Sequence, residues 1–273
     1  VPEERLLAQA EYMASQGVKE LILVAQETTV YGTDLYGKKT LHLLLKKLCQ
    51  IKGIRWIRIL YCYPEEIYDE LIQVMKEEKK ICHYLDLPIQ HCSDRILKRM
   101  GRRTSKAQLV EIITKLRKEI PDIVLRTSLI TGFPGETEED HQELMEFVDE
   151  MEFDRLGVFT YSPEEDTPAA PMKDQVPEEL KEERRDEIME LQQEISLDKG
   201  NQRIGQEMLV MIEGKVSGES AYIGRTYMDA PKVDGYMFVQ TGELMVTGDF
   251  AKVRVTGALE YDLIGELTDE YTE

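Results

Sequence analysis

The chain has 273 residues, 42% of them hydrophobic, and a formal net charge of −19 at pH 7. This length allows one large domain or two smaller ones with a real core, and no apolar run is long enough to span a bilayer. The large negative charge disfavours non-specific binding of nucleic acid and favours an enzyme or a protein with a basic partner. The first residues are acidic and helix-like, without the apolar segment of a signal peptide, so we expect a cytoplasmic protein.

Four cysteines, Cys49, Cys62, Cys82 and Cys92, lie far apart in the sequence. No two of them form a C-x-x-C pair or belong to a tight cluster of cysteines. We therefore predict no disulfides and no metal ligands within these residues. Cysteines spaced in this way are typically small buried hydrophobic residues of a reducing compartment.

Apolar runs with the length of strands alternate with helical patterns along the first 161 residues. The predicted strands are Glu20–Gln26, Arg55–Cys62, His83–Gln90, Ile123–Thr131 and Arg155–Tyr161. The predicted helices are Glu3–Ser15, Leu41–Ile51, Glu65–Glu77, Ser93–Met100, Lys106–Glu119 and Glu138–Met151. Such alternation indicates βαβ units and a parallel sheet, and a start on a helix implies one more strand before it. The strand ends near Gln26, Cys62, Gln90, Arg126 and Tyr161 should then meet at one open mouth.

The predicted strands carry polar groups on one face only. Arg58, Asp86 with Gln90, and Arg126 with Ser128 each lie opposite apolar neighbours, because side chains alternate with period two. A barrel-like sheet with an interior network of ions fits this pattern. A solvated polar face is the alternative, although parallel strands are normally covered on both sides.

The pattern changes after Tyr161. An acidic, proline-containing connector (Ser162–Pro177) leads into a long charged helix that runs from Pro177 to about Lys199. Five short strand-like runs separated by glycine-containing turns follow: Met208–Glu213, Ala221–Arg225, Tyr236–Gln240, Phe250–Val255 and Tyr261–Glu266. They predict a small all-β barrel. We place the domains at residues 1–202 and 203–268.

The segment Val124–Asp140 reads as a strand, a Gly-Phe-Pro-Gly turn and a helix start. Thr137 is a candidate N-cap, with Asp140 three residues later in the capping-box position. Gly132 and Gly135 would let the backbone pass close to a ligand at the end of the strand. The alternative is a well-capped βα loop without a ligand.

Laid out in this way, the chain resembles the RimO-type branch of the methylthiotransferases, radical S-adenosylmethionine enzymes with a C-terminal TRAM domain. The resemblance rests on motifs spread over nearly the whole chain. They are Leu23-Val-Ala-Gln-Glu-Thr-Thr-Val-Tyr-Gly32, Arg58-Ile-Leu-Tyr-Cys-Tyr-Pro64, Leu87-Pro-Ile-Gln-His-Cys-Ser-Asp94, Met100-Gly-Arg-Arg103, the Gly-Phe-Pro-Gly-Glu-Thr turn, Gly224-Arg-Thr-Tyr-Met-Asp-Ala-Pro-Lys-Val-Asp-Gly235 and Glu260-Tyr-Asp-Leu-Ile-Gly265. The implied fold is α/β, a partial (βα) TIM-like radical-SAM barrel followed by a small all-β, OB-like TRAM barrel.

The resemblance implies an enzyme that attaches a methylthio group to the β-carbon of an aspartate in a small-subunit ribosomal protein. Its cofactors would be S-adenosylmethionine and two [4Fe–4S] clusters. The family's C-x-x-x-C-x-x-C loop, the strand before it and the N-terminal cluster domain have no counterpart in these residues. Because cluster ligation needs closely spaced thiolates, we expect this chain alone to be inactive.

Four residues are predicted to bind the cofactor: Gln26, Gln90, Arg126 and Ser128. Gln26 ends the first strand where radical-SAM barrels contact the methionine part of the cofactor, although a loop-capping amide would look the same. Gln90 ends another strand at the same rim, beside His91, which is more often a structural hydrogen bonder than an acid or base. Arg126 must meet an anion, which could be Asp86, a cofactor carboxylate or the substrate aspartate.

The charge of the β module bears on the choice of partner. From Gly205 to Leu267 it has five basic residues against ten acidic ones, the wrong sign for binding phosphates. A basic small-subunit ribosomal protein, or the ribosome, is therefore the expected partner, with Asp229 and Asp234 as substrate-binding residues of a loop. Both acids could instead simply hold the turn. A tRNA methylthiotransferase and a non-catalytic RNA-binding protein are the alternative functions.

Overall fold

The computed structural model describes residues 1–272, with side chains as far as residue 268. The N-terminal part contains α1 (Glu3–Ser15), β1 (Glu20–Leu23), α2 (Thr33–Tyr36), α3 (Leu41–Cys49), β2 (Trp56–Ile59), a 3₁₀ turn (Pro64–Glu66), α4 (Asp69–Glu77), β3 (Ile81–Asp86), α5 (Asp94–Arg99), α6 (Lys106–Glu119), β4 (Val124–Thr131), α7 (Glu138–Met151), β5 (Arg155–Thr160) and α8 (Glu178–Asn201). The C-terminal part contains β6 (Glu207–Lys215), β7 (Ala221–Arg225), β8 (Met237–Gln240), β9 (Phe250–Ala258) and β10 (Leu263–Thr272). No helix in this described range is both long and apolar enough to cross a membrane.

The first five strands form an open parallel sheet in sequential order, β1-β2-β3-β4-β5. Within the described residues β1 pairs only with β2, so it forms one edge of the sheet. Strands β6–β10 form a separate closed barrel in the order β10-β8-β7-β6-β9. The predicted fold class, a partial α/β barrel followed by a small β barrel, is confirmed.

The strands end earlier than their apolar runs. β1 stops at Leu23 rather than Gln26, and β3 stops at Asp86 rather than Gln90. Pro88 has no N–H to donate to a ladder, and Gln90 has a φ of 71° that takes it out of the extended conformation. Gln90 still pairs with Leu129 of β4 through a single isolated parallel bridge.

The two faces of the sheet pack against different partners. The outer face carries Leu21, Ile57, Leu85 and Leu125, which belong to one core with the helices. The inner face carries Trp56, Cys82, Tyr84 and Val124, which pack against Met208, Val210, Met228 and Ala230 of the C-terminal barrel. The second domain therefore covers the inner face of the first, an arrangement that the strand pattern did not predict.

Candidate functional site

The carboxyl ends of the five parallel strands meet at one cleft of about 910 Å³. One residue just beyond or at the end of each strand lines it: Glu27, Tyr63, Gln90, Ile130 and Tyr161. The predicted convergence of the strand ends is confirmed, but of the five residues named for it only Gln90 and Tyr161 line the cleft. Arg126 was wrongly placed at a strand end, because it is the third residue of β4. The volume of the cleft lies in the range of ligand sites. We call this cleft the mouth.

Glu27, rather than Gln26, is the anchored residue after β1. Gln26 is exposed and has no hydrogen-bond partner among the described residues, so its contact with a cofactor stays a prediction. The Glu27 carboxylate accepts hydrogen bonds from the backbone N–H groups of Thr29 (2.8 Å) and Tyr63 (2.6 Å). Burial raises the pKa of Glu27, although these hydrogen bonds act in the opposite direction. Sequence reasoning missed Glu27 because the predicted strand ran three residues too far.

Gln90 lines the mouth, whereas His91 points away from solvent altogether. His91 is fully buried, and its Nδ1 accepts a hydrogen bond of 3.0 Å from the Ser93 N–H. Its Nε2 lies 3.5 Å from a carboxylate oxygen of Glu136. These contacts give His91 the structural role that the sequence favoured. Contact of Gln90 with a cofactor stays a prediction.

The two glycines of the Gly-Phe-Pro-Gly turn are in close contact with other side chains of the protein. Gly132 has a φ of 70°, and a Cβ there would overlap the side chain of Lys181. At Gly135, with a φ of 84°, the neighbours are Asp174 and Arg99. The packing of these side chains is enough to require glycine, so the approach of a ligand to Gly132 and Gly135 stays a prediction. Phe133 is the turn residue that lines the mouth. The predicted capping box of Thr137 and Asp140 is confirmed.

Arg126 lies below the mouth on the inner face, between two carboxylates. Its Nη1 donates a hydrogen bond of 2.6 Å to Asp86, and its Nε lies 3.4 Å from Asp234 of the C-terminal barrel. Ser128 is half-buried, with its hydroxyl 3.4 Å from the same Nη1. Of the anions considered for Arg126, Asp86 is thus present, and Asp234 is a second one that the sequence did not indicate.

Asp229 and Asp234 are buried between the domains, each with a side chain only 3% exposed. Asp229 pairs with Arg155 at 2.5 Å and accepts from the Thr226 hydroxyl at 2.8 Å. Asp234 accepts from the Tyr84 hydroxyl at 2.6 Å and from the Ala230 N–H at 2.8 Å. The expectation of an exposed acidic loop that docks a substrate is wrong, because both carboxylates are enclosed by partners. They hold the turn and the domain interface instead.

Glu20 and Arg58 complete the ionic interface between the domains. The fully buried Arg58 donates to Glu20 (2.9 Å) and to the backbone oxygen of Tyr227 (2.6 Å), while its guanidinium lies 4.7 Å from the Tyr84 ring centroid. Arg225 binds the other oxygen of Glu20 at 2.6 Å. The predicted interior ion network is confirmed, with Arg225, Asp229 and Asp234 supplied by the second domain.

The residues described here do not fit an iron–sulfur cluster. Cys49, Cys62, Cys82 and Cys92 are all unpaired thiols in the buried core. Burial raises the pKa of the Cys62 thiol well above its ordinary value and that of Cys82 to about 12, which opposes thiolate formation. No group of three His, Cys, Asp or Glu side chains in the described part of the chain could hold a metal ion.

A sequential parallel sheet, outer helices and a cleft at the carboxyl ends of the strands define a (βα)-barrel type of enzyme domain, here joined to an OB-like barrel. Comparison with known families agrees with this class. The chain belongs to the radical SAM superfamily, whose sequence model matches residues 1–148, and it carries a TRAM domain at residues 204–268.

Two relatives are similar over nearly the whole chain. The ribosomal protein uS12 methylthiotransferase RimO of Lachnoclostridium phytofermentans is 65% identical over 97% of this chain and 60% of its own length. The protein of the same name from Clostridium botulinum (strain Hall) is 53% identical over 99% of this chain and 60% of its own length. The chain thus spans about 60% of the length of the curated relatives that it matches.

Among solved structures, the radical S-adenosylmethionine methyltransferase TsrM of Kitasatospora setae, with tryptophan substrate and a SAM analogue bound, superposes with a TM-score of 0.50. The two sequences are 13% identical, and the match covers 76% of this chain and 35% of TsrM. The similarity extends to the fold alone.

Proposed function

We propose that this chain is the barrel and TRAM part of a RimO-type methylthiotransferase, which adds a methylthio group to the β-carbon of an aspartate in a small-subunit ribosomal protein. The observation that carries the proposal is the sequence identity of 65% and 53% with two relatives of this name, which extends across both domains. The open mouth at the strand ends supports an enzyme over a passive RNA-binding protein.

The cofactor S-adenosylmethionine would lie in the mouth, with Gln26, Gln90, Arg126 and Ser128 as its proposed contacts. Arg126 uses its Nε and Nη1 on protein carboxylates, whereas its Nη2 has no hydrogen-bond partner among the described residues. That nitrogen would be available to a carboxylate entering from above. The radical chemistry of this superfamily belongs to the cofactor, while the chain binds it, orients it and excludes water.

Because the described cysteines do not fit a cluster, we propose that the ligands of both [4Fe–4S] clusters lie outside these 273 residues. The chain alone would then not cleave S-adenosylmethionine.

The proposed partner is the basic ribosomal protein, which the enzyme would bind on the ribosome in the cytoplasm. Of the TRAM carboxylates, Asp229, Asp234, Glu213 and Glu207 are taken up in ion pairs with arginines. Glu219, Glu243, Glu260 and Glu266 remain exposed to solvent. These exposed acids favour a basic protein and disfavour tRNA, and the attraction should weaken as salt rises.

The test is an anaerobic assay of the complete holoenzyme with S-adenosylmethionine, a reductant, and either the uS12 protein or total tRNA. We expect a methylthio adduct on one aspartate of uS12, located by peptide mass spectrometry, and none on tRNA. Methylthiolated nucleosides with unmodified uS12 would assign the chain to the tRNA-modifying branch instead.

A further inference from the structure

Arg126 on the inner face connects the TRAM domain to the mouth through one ion pair, with Asp234, followed by a series of hydrogen bonds. We infer that Asp234 of the TRAM domain is a positioning residue for the mouth, so that this domain is a structural part of the cofactor site as well as a separate surface. The inference concerns the mouth of the proposed enzyme and therefore rests on the proposed function. Its first test, however, needs no catalysis.

The series begins at Asp234, whose carboxylate is held by two hydrogen bonds that do not involve Arg126. The Tyr84 hydroxyl and the Ala230 N–H both donate to Oδ2, at 2.6 and 2.8 Å. Tyr84 is itself fully buried. The remaining oxygen, Oδ1, lies 3.4 Å from Arg126 Nε. The carboxylate therefore has one orientation, and it sets the position of the guanidinium across the interface.

Arg126 in turn binds Asp86 and so fixes the position of its carboxylate. Nη1 donates to Asp86 Oδ1 at 2.6 Å, and Asp86 Oδ2 accepts from the Tyr61 N–H at 3.2 Å. Tyr61 has a φ of 61°, a left-handed conformation that a bulky residue adopts only when its surroundings impose it. Asp86 is thus the side chain that holds a strained backbone turn at the end of β2.

The Tyr61 turn holds the loop after β1. Its carbonyl accepts the Thr28 N–H at 3.0 Å, and the Thr28 hydroxyl donates to the Leu60 carbonyl at 2.6 Å. Two residues after Tyr61, the Tyr63 N–H donates to Glu27. Glu27 and Tyr63 both line the mouth. A change at Asp234 can therefore reach the mouth through Arg126, Asp86 and Tyr61.

Asp229 provides a matched control within the same interface. It has the same side-chain exposure as Asp234 (3%), belongs to the same domain and also pairs with an inner-face arginine, Arg155. Asp229 and Arg155 have no hydrogen bond to the loops at the mouth among the described contacts. The substitutions Asp229→Asn and Asp234→Asn should therefore weaken the interface alike, and only Asp234→Asn should loosen the mouth.

The first measurement is hydrogen exchange of the segments 25–29 and 60–63 in this 273-residue chain. We expect exchange there to be roughly five- to tenfold faster in Asp234→Asn than in Asp229→Asn. Tyr84→Phe removes only the hydroxyl that anchors Asp234, so it should move the same segments in the same direction. This milder variant covers the case in which Asp234→Asn does not fold.

The second measurement uses the complete holoenzyme and separates KM from kcat. A loosened mouth should raise KM for S-adenosylmethionine about fivefold, with a smaller change in kcat. Equal exchange at the mouth in the two Asp→Asn variants would overturn the inference, even if the enzyme methylthiolates uS12. Faster exchange in Asp234→Asn alone would support it, even if the substrate proves to be tRNA.

Discussion

Glu20 and Arg225 are 205 residues apart in the chain, yet their carboxylate and guanidinium lie 2.6 Å apart. Arg58 binds the other oxygen of Glu20 at 2.9 Å. One carboxylate at the start of β1 thus joins an arginine of the sheet to an arginine of the TRAM barrel. All three side chains are buried, so water cannot replace a missing partner.

Replacing Glu20 by alanine should destabilise the protein strongly, because it leaves the buried Arg58 without a carboxylate partner, while Arg225 keeps Glu213. We expect a loss of about 3–5 kcal/mol in the free energy of unfolding, measured by urea denaturation. Glu207→Ala is the control, since Glu207 also begins a strand but pairs with Arg254 in solvent. That variant should lose about 0–1 kcal/mol. Similar losses in the two variants would contradict the assigned role of Glu20.

Asp140 should make stability depend on pH in the acid range. Burial opposes its ionisation, but hydrogen bonds from Thr137, Ser93 and Arg95 outweigh burial and lower its pKa to about 2. A carboxylate with a lowered pKa contributes stability that is complete above the unfolded-state pKa of about 4 and lost as the pH falls through the folded-state value.

The variant Asp140→Asn should therefore be less stable than the wild type by about 2 kcal/mol at pH 7, the amount that the lowered pKa implies. The difference should shrink steadily as the pH falls from about 4 towards 2. Urea denaturation of both proteins at pH 7, 4 and 2.5 checks this. A gap that stays constant over this range would show that the charge of Asp140 does not matter.

Gly132→Ala should destabilise the turn beneath the mouth for two separate reasons. The left-handed backbone costs about 1–2 kcal/mol with any Cβ, and the contact with Lys181 adds about 1–3 kcal/mol of overpacking. Gly205→Ala is the control, because Gly205 has a φ of 89° and open space where a Cβ would lie. Its loss of stability therefore measures the cost of the left-handed backbone alone. Adding Lys181→Ala to Gly132→Ala should separate out the contact, although it also removes the hydrogen bond from Lys181 to the Tyr161 carbonyl. If the two single variants are equally stable, the contact with Lys181 is unimportant.

The 273-residue chain should take up no iron–sulfur cluster when it is reconstituted anaerobically with iron and sulfide. All four thiols are buried, and no group of three His, Cys, Asp or Glu side chains in the described part of the chain could hold a metal ion, so no set of thiolates is available. Visible charge-transfer absorption together with iron analysis provides the measurement. Stoichiometric bound iron with such a spectrum would disprove the expectation, whereas loosely bound iron removed by desalting would not.

Local patterns predicted most of the fold. The period-two polar positions Arg58, Asp86 and Arg126 correctly identified the inner face, because alternation along a strand is a property of neighbouring residues. The capping box of Thr137 and Asp140 was equally visible, since it is complete within four residues.

The errors arose where distant residues meet. The net charge of the β module counts Asp229 and Asp234 as acids, but their charges are matched by Arg155 and Arg126 of the other domain. No local pattern shows such pairs, since even Arg155 and Asp229 are 74 residues apart. The end of β1 was misplaced for another reason: the apolar run continues through Val24 and Ala25, although the strand stops at Leu23.

The coverage of the inner face has a consequence for how the protein can be divided. A cut before β6 would expose Trp56, Tyr84 and Val124 to water and leave Arg126 and Arg155 without Asp234 and Asp229. We therefore expect both parts to unfold in a single calorimetric transition, because separation would expose apolar side chains and unpaired charges on each of them. During evolution the two domains would then be inherited as one folding unit, with insertions tolerated at the exposed residues 242–244 and excluded from the buried residues 228–230.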